Sequence, residues 1–527
     1  MDRAAALSLM LTCAACTNEL DPLGEAILIV DTDLPVPELA AELRLDLYSP
    51  DGTAWYHSRD IALPDPRDWP ASFSLYDPDP ESMREALVRV RIHPLGRVRD
   101  YHGERFAPVP IGLAPGDVPP EPMAEGEAPR LFVDGVDATP RTEPQPLLTI
   151  DRLFLLRLEP GKTGSVQLTL RGACAGTMAD VAGRATCIDT RAVLVPVEEL
   201  PLNDELEPEV SSVQGSFAPP SDCSAAPRPA SPALFDEEVC VQGGAFVFGN
   251  SDVFGFSFVD PNGDRQSADG VPERVAVVPP FRMDRYEVTV GRWRQALAEG
   301  FVSPDLTPTV NDGPLLVDES NGDPGVCTWS STDQGREHYP VNCVSWVAAR
   351  AFCARLGGDL PTEAQWEYAA QVAGRETKTR YPWGTTEPTC DHVIFARLAQ
   401  GTFADGNMQC AQLGTGPQPV NAAEHDGGDV TPGTRIVQLG GGMTEMMRDD
   451  AHPLTAACWL AAPLESPTCV DPTRPYMSLR GGAWHLSSVF VHPGLRASRR
   501  RDIPPELGGG PLTMAFVGFR CARAGAD

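Results

Sequence analysis

The distribution of cysteines is the feature that most constrains this chain. The sequence of 527 residues contains 14 cysteines. Cys13 and Cys16 lie near the start, and the others are spread between Cys174 and Cys521. Their spacings do not form the paired C-x-x-C knuckles of zinc sites. An even number of dispersed cysteines is typical of a chain that folds in an oxidising compartment and is held by disulfides.

Proximity along the chain suggests several disulfide partners. A local disulfide is expected between Cys174 and Cys187, and Cys223 and Cys240 flank the end of a linker that they can attach to the following domain. Spacing alone does not determine connectivity, so further pairs are hypotheses from proximity. These are Cys327 with Cys343, Cys390 with Cys410, and Cys458 with Cys469.

The first residues agree with export. An apolar run at residues 4–15 follows Arg3 and is too short to span a bilayer, as expected for a signal-peptide core. Small residues before Cys16 resemble a bacterial lipoprotein cleavage site, so we predict a signal peptide over residues 1–16 with Cys16 lipidated. Thr17 is not the Asp of inner-membrane retention, which favours the outer membrane. The alternative is a plain signal peptide and a periplasmic or secreted protein.

The net charge restricts the partners. At −31, the chain has no basic stripe that would offset repulsion from a nucleic-acid backbone, so a nucleic-acid partner is not expected. The acidic balance is interpreted as a contribution to solubility. The sequence has no further segment of transmembrane length, so we expect membrane contact through the lipid anchor only.

Short alternating segments dominate the first part of the chain. Residues 43–48 and 87–92 alternate apolar and polar side chains, and 166–170 repeats the pattern. Period-two alternation predicts strands with one buried and one solvated face. We therefore predict a β-sandwich over residues 25–200. Residues 201–237 are rich in Pro, Glu and Ser and are predicted to form a linker.

A series of motifs follows Cys240 in the C-terminal half. In chain order they are G-G-A-F-V-F-G-N from Gly243, E-V-T from Glu287, P-V-N-C-V-S-W from Pro340, L-P-T-E-A-Q-W-E-Y-A-A from Leu360, Y-P-W-G from Tyr381, L-R-G-G-A-W from Leu479 and V-G-F-R-C from Val517. The half of the chain that carries them resembles the formylglycine-generating enzyme (sulfatase-modifying factor) family. The resemblance covers nearly all of residues 238–527.

The resemblance implies a fold and one disulfide. It implies a C-type-lectin-like, mixed α/β domain over residues 238–527. The whole chain is then α+β, with this domain preceded by the β-sandwich. The family joins the cysteine of the helix before L-P-T-E to the final G-F-R-C cysteine, which here are Cys353 and Cys521.

The residues that the family uses for catalysis are replaced. In the family, two cysteines shortly after R-G-G bind copper and oxidise a cysteine of the substrate to formylglycine. Leu486 and Val491 occupy those positions here, and Ala483 replaces the family serine. Neither Leu nor Val can ligate copper or form a mixed disulfide. We therefore expect no catalytic residues and no copper.

Other polar residues are candidate metal ligands. Glu445 and Gln438 stand at calcium-ligand positions of the family, so calcium is the metal to test. His485 and His492 flank the replaced cysteines and are alternative ligands for a harder metal. Two further groups of charged residues have two interpretations each. They either face solvent or form structural ion pairs, or they bind a ligand. They are the acidic residues Asp426, Asp429, Asp449 and Asp450, and the basic cluster Arg496, Arg499, Arg500 and Arg501.

Two functions follow from these observations. The first is a noncatalytic binding or scaffold lipoprotein that recognises an envelope protein or peptide with its degenerate C-terminal domain. The second is an enzyme, either a formylglycine-generating oxidase of protein cysteine that uses substitute residues, or a relative with another substrate. Leu486 and Val491 favour the first.

Overall fold

The computed structural model describes most of the chain from residue 23 onward. The described residues are 23–101, 130–189, 193–204, 213–250, 257–259, 265–267, 270–316, 324–398, 410–471, 477–485, 500–503, 506–507, 510–511 and 513–526. Within them the protein is of mixed α+β class, with many short strands and few helices. No helix among them is long and apolar enough to cross a membrane.

The first part of the chain is built of strands, as predicted. A three-stranded sheet has the order β11-β1-β4, and a four-stranded sheet has the order β10-β5-β2-β3. The strands are β1 (Glu25–Thr32), β2 (Glu42–Tyr48), β3 (Trp55–Ala62), β4 (Ala71–Tyr76), β5 (Arg84–His93), β6 (Val98–Asp100), β7 (Phe132–Val133), β8 (Val136–Asp137), β9 (Thr142–Pro144), β10 (Ile150–Leu158), β11 (Thr163–Leu170), β12 (Ala185–Cys187) and β13 (Leu194–Pro196). One apolar core, which includes Leu28, Leu45, Val88 and Val166, joins the two sheets.

The prediction of a solvated face is wrong for β2 and β5 of the four-stranded sheet. Arg89 and Arg91 of β5 are buried together with Val90 between them. Arg89 pairs with Asp151 of β10 at 2.6 Å, and Arg91 pairs with Asp46 of β2 at 2.5 Å. Alternation in the sequence therefore separates an apolar buried face from an ion-paired buried face, because a buried charge is tolerated when it is paired.

The C-terminal half combines small sheets with four helices in the described part. The helices are α1 (Val290–Ala298), α2 (Trp346–Arg355), α3 (Glu363–Gln371) and α4 (Ala457–Leu460). The strands are β14 (Glu238–Val241), β15 (Gly244–Asn250), β16 (Ser257–Val259), β17 (Arg265–Ser267), β18 (Gly270–Val278), β19 (Phe281–Asp284), β20 (Thr444–Asp450), β21 (Met477–Arg480), β22 (Arg500–Ile503), β23 (Glu506–Leu507), β24 (Gly510–Pro511), β25 (Val517–Gly518) and β26 (Ala522–Ala524). The four-stranded sheet β22-β21-β20-β25 carries Glu445 on β20 and Arg480 on β21, which belong to the candidate functional site.

Local sequence explains where helix α3 begins. Thr362 accepts a hydrogen bond from the backbone N–H of Gln365, and the Gln365 side chain accepts one from the N–H of Thr362. This reciprocal capping box satisfies two backbone donors at the helix start. Thr362 is therefore the N-cap residue of α3, and Gln365 completes the capping box. The cap fixes the helix whose next residues, Glu363 to Tyr368, enter the core of the C-terminal half.

Six disulfides join the cysteines of the described residues. The long-range bridge connects Cys353 on α2 to Cys521, which follows β25, with a Cα–Cα distance of 5.3 Å. The others lie between neighbours in sequence, and all six pairs are those expected from the sequence. They are Cys174–Cys187, Cys223–Cys240, Cys327–Cys343, Cys390–Cys410 and Cys458–Cys469.

The two halves of the chain contact each other through the β15–β18 hairpin. Val275 of β18 belongs to the apolar core of the N-terminal sheets, and Ala245 and Val247 of β15 pack against that core. Arg97 also reaches Glu273 at 3.3 Å. Part of the segment predicted to be a linker packs on the C-terminal half, since Arg228 pairs with Asp284 at 2.7 Å.

Candidate functional site

The segment that follows β21 carries the positions at which the family's catalytic residues are replaced in this sequence. It runs beside the glycine loop at residues 440–442. The N–H of Gly482 donates to the carbonyl of Gly440, and the N–H of Trp484 donates to that of Gly442, both at 2.8 Å. Ala483, at the position of the family serine, is fully buried between them. This position therefore presents a methyl group in the interior.

Gly481 allows this close approach. It has φ of 82°, and a Cβ at this position would lie 2.7 Å from the carbonyl oxygen of Leu439. Both constraints exclude larger residues, because the left-handed conformation and the contact each disfavour a side chain. The R-G-G segment therefore lies close against the backbone of Leu439.

Several predicted residues lie outside the described part of the chain. They are Cys16, Leu486, Val491, His492, Arg496 and Arg499. Arg500 and Arg501 are described as backbone of β22, paired with β21. His485 is described and packs against Phe516 with ring centroids 4.4 Å apart. The structure therefore places one of the two histidines, and the pairing of His485 with His492 stays a prediction.

Arg480 anchors β21 to helix α3. Its guanidinium contacts Glu363 at 2.7 Å and Glu367 at 2.9 Å, and all three side chains are fully buried. Lys378 reaches the other oxygen of Glu367 at 2.9 Å. Because buried carboxylates need such partners, this network is structural support for the R-G-G segment.

Glu445, a predicted calcium ligand, has both carboxylate oxygens engaged. Arg520 donates from Nε to Oε1 at 2.8 Å, and the indole N–H of Trp366 donates to Oε2 at 2.8 Å. Arg520 and Glu445 are both fully buried. The Glu445 carboxylate therefore joins β20 to α3 and to the G-F-R-C motif.

Gln438, the second predicted calcium ligand, lies beside oxygens of Asp429, one of the acidic residues noted in the sequence, and of Glu287, which the sequence did not indicate as a ligand. Its Oε1 has no hydrogen-bond partner among the described residues, and neither do Oε2 of Glu287 and Oδ1 of Asp429. All three residues are buried. A Cβ at Gly442 would lie 2.3 Å from Oε1 of Gln438 and 3.3 Å from Oε1 of Glu287, so these side chains meet where only glycine fits.

The glycine loop binds the other oxygen of each acid. Met443 N–H donates to Glu287 at 2.8 Å, while the N–H groups of Gly440 and Gly441 donate to Asp429 at 2.8 and 2.7 Å. Burial raises the pKa of Asp429 to about 7, and burial together with the charge of Glu445 raises the pKa of Glu287 well above its ordinary value. The carboxylates outnumber Arg520, so this pocket favours protons or an added cation.

The interpretation of the acidic loop as a solvated surface is wrong for three of its four residues. Asp429, Asp449 and Asp450 are buried, and Asp426 is exposed. Asp449 accepts hydrogen bonds from the N–H groups of Glu363 and Cys469 at 2.7 and 2.8 Å. A backbone donor can be satisfied by a carboxylate from far along the chain, and no local pattern in the sequence reveals such a pairing.

Among the described residues, the cysteines and acids form no site for a soft metal. Every cysteine from Cys174 to Cys521 is in a disulfide. Across the part of the chain that is described, no group of three or more His, Cys, Asp or Glu side chains is arranged to hold a metal ion. A hard cation near Gln438 would have to use amide and backbone oxygens in addition to carboxylates.

Comparison with known proteins gives a consistent result over this half. The family model described as Sulfatase-modifying factor enzyme 1-like domain matches residues 224–525. The formylglycine-generating enzyme of Streptomyces coelicolor is 30% identical over 340 residues, which cover 58% of this chain and 96% of that protein.

Two further relatives differ in their names. The hercynine oxygenase of Mycolicibacterium smegmatis is 28% identical over 294 residues, covering 53% of this chain and 61% of that protein. The inactive C-alpha-formylglycine-generating enzyme 2 of Bos taurus is 38% identical over 85 residues, covering 16% of this chain and 26% of that protein. The relatives thus include proteins named as enzymes and one named as inactive.

Proposed function

This chain belongs to the sulfatase-modifying factor family, and from that premise we propose that its C-terminal half is a noncatalytic binding or scaffold domain. The observation that carries the proposal is the pairing of every described cysteine in a disulfide. Thiolates are the ligands that hold Cu(I), and a disulfide sulfur is not a thiolate. Leu486 and Val491, at the positions of the family cysteines, support the same conclusion.

The proposed setting is the bacterial cell envelope. The signal-like residues 1–16 support lipidation at Cys16 and an outer-membrane address, and the disulfides are consistent with an oxidising compartment. In this proposal a β-sandwich carries a C-type-lectin-like domain away from the membrane. The partner would be an envelope protein or peptide.

Calcium is the metal that the pocket at Gln438 would accept. The oxygens of Gln438, Glu287 and Asp429 that lack partners are hard ligands, which suit Ca²⁺ and do not suit copper. The excess of buried carboxylates over Arg520 would be compensated by such a cation. Its role would be to hold the glycine loop rather than to take part in a reaction.

The alternative is an oxidase that converts protein cysteine to formylglycine, or a related oxygenase, using substitute residues. The full-length similarity to the Streptomyces coelicolor enzyme favours this alternative. The two proposals differ in whether the chain binds Cu(I) and forms product.

The test is a Cu(I) competition titration of the full chain, with turnover of a sulfatase-motif peptide measured in parallel. We expect neither tight copper binding nor formylglycine from this chain, and the formylglycine-generating enzyme of Streptomyces coelicolor is the positive control for product. The double variant Leu486→Cys/Val491→Cys is the matched control and should gain Cu(I) binding. Stoichiometric copper with product from the unmodified chain would contradict the noncatalytic proposal.

A further inference from the structure

A cleft lies between the N-terminal sheets and the C-terminal half, away from the R-G-G segment. Its volume is about 670 Å³. One wall comes from the N-terminal half, with Leu39 and Leu95, and the opposite wall comes from β15 and α3, with Val247, Tyr368 and Val372. Volumes of several hundred Å³ at the junction of two parts of a chain are typical of small-molecule sites.

The walls of the cleft are mainly apolar. Phe217, Pro219 and Pro220 add further carbon surface between the two walls. Tyr368 packs edge-on against Phe246 with centroids 5.1 Å apart, so its ring is held in one orientation. Leu95 is 58% exposed, so its side chain presents apolar surface at the cleft. An apolar surface of this kind gains free energy when an apolar molecule displaces water from it.

The hydroxyl of Tyr368 is a polar group in this mainly apolar cleft. No described residue forms a hydrogen bond with the hydroxyl of Tyr368, and burial raises its pKa to about 12, so it remains a donor at neutral pH. Gly244 makes room for it, because a Cβ there would lie 2.5 Å from the hydroxyl oxygen. A ligand with an acceptor oxygen would satisfy this donor.

The cations in the walls are already engaged. Lys378 donates to the carbonyl of Val247 at 2.7 Å and to Glu367 at 2.9 Å. Arg97 pairs with Glu273, and Arg375 donates to the carbonyls of Ala369 and Pro382. The exposed carboxylates in the cleft, Glu38 and Glu376, would repel an anion.

From these observations we propose that the cleft binds an uncharged, mainly apolar small molecule whose carbonyl oxygen accepts a hydrogen bond from Tyr368. The apolar walls supply most of the affinity, and the hydroxyl fixes the orientation. This cleft is separate from the R-G-G segment, because no described residue of β21, of the glycine loop at 440–442 or of residues 481–485 lines it.

The test uses Nile red, an uncharged apolar dye with a carbonyl oxygen, titrated into the full chain. We expect saturable binding at one site with a blue shift of emission, and weaker binding of the anion anilinonaphthalene sulfonate. Tyr368→Phe should weaken Nile red about three- to tenfold, the range for one neutral hydrogen bond.

Two surface leucines provide matched variants. Leu95→Lys places a charge on the wall and should lower the affinity at least about tenfold, because the charge would lose water when the ligand binds. Leu413→Lys changes a leucine that is 47% exposed and lies outside the cleft, and it should have no effect. Absence of saturable binding, equal losses in the two lysine variants, or unchanged affinity of Tyr368→Phe would each overturn the proposal.

Discussion

At the residue scale, the C-terminal half depends on charges that are buried and paired. Glu445 and Arg520 have no exposed side-chain surface, and Trp366 holds the second carboxylate oxygen. The sequence showed these residues only as members of separate motifs. Their direct contact brings the G-F-R-C motif and the helix of the L-P-T-E motif together at β20, since Arg520, Trp366 and Glu445 each supply one partner of the network.

Arg520→Met tests the energetic role of this network. The substitution leaves Glu445 and its neighbours Glu287 and Asp429 without their cation, so we expect a loss of roughly 3–5 kcal/mol in unfolding free energy. Urea unfolding followed by tryptophan fluorescence measures it. Arg67→Met is the control, because the Arg67–Asp65 pair is exposed and should contribute little. If Arg520→Met lowers the unfolding free energy as little as Arg67→Met does, the buried pair does not contribute to stability.

The raised pKa of Asp429 predicts a pH dependence. Between its ordinary value of 3.8 and about 7, the folded state keeps a proton that the unfolded state has released. Stability therefore falls as pH rises through this window, by about 1.4 kcal/mol for each pH unit. Asp429→Asn should flatten this part of the curve, measured as urea midpoints from pH 4 to 8 without calcium.

Calcium should reverse this trend if it binds at Gln438. The cation requires ionised carboxylates, so added Ca²⁺ would raise the urea midpoint more at pH 8 than at pH 5. Glu287→Gln would abolish the response while keeping an acceptor for the Met443 N–H. A calcium effect of the same size in native chain and variant would place the ion elsewhere.

At the element scale, helix α3 organises the region. It carries Glu363 and Glu367 toward Arg480, Trp366 toward Glu445, and Tyr368 toward the cleft. The helix has only nine residues, so its own propensity is insufficient and its capping box and packing have to fix it.

Thr362→Ala is the corresponding prediction. Loss of the cap should lower the unfolding free energy by about 1 kcal/mol, whereas Thr362→Ser should keep most of it, because serine offers the same acceptor. Thermal unfolding of both variants beside the native chain measures the difference. A serine variant as unstable as the alanine variant would indicate that the Thr362 methyl group, not its hydroxyl, stabilises the helix start.

At the scale of the whole molecule, the disulfide Cys353–Cys521 encloses most of the C-terminal half. In the chain-entropy model, a closed loop of this length is worth about 5 kcal/mol, compared with about 3 kcal/mol for the short loop of Cys458–Cys469. The double alanine variant of the long-range pair should therefore lower the midpoint of urea unfolding more than that of the short pair. The reverse order would show that loop length does not determine their effects.

Family motifs, disulfide partners, the Thr362 cap and several strands could be predicted from sequence because they depend on local spacing or on a series of motifs that occurs in order. The burial of Arg89, Arg91, Asp429 and Asp449 could not, because a charged residue is assigned to solvent unless its partner is known. Those partners lie on other strands or on segments distant in sequence, and no pattern in one segment records them.

The sequence by itself therefore determined the family, the absence of cysteines at the family's catalytic positions, and the α+β composition. Tertiary structure alone decided which charges are buried, that Glu287 and Asp429 join Gln438 at the glycine loop, and that the N-terminal sheets and the C-terminal half enclose a cleft. The physical reason is that the first set depends on residue identity and local periodicity, whereas the second depends on contacts between segments far apart in the chain.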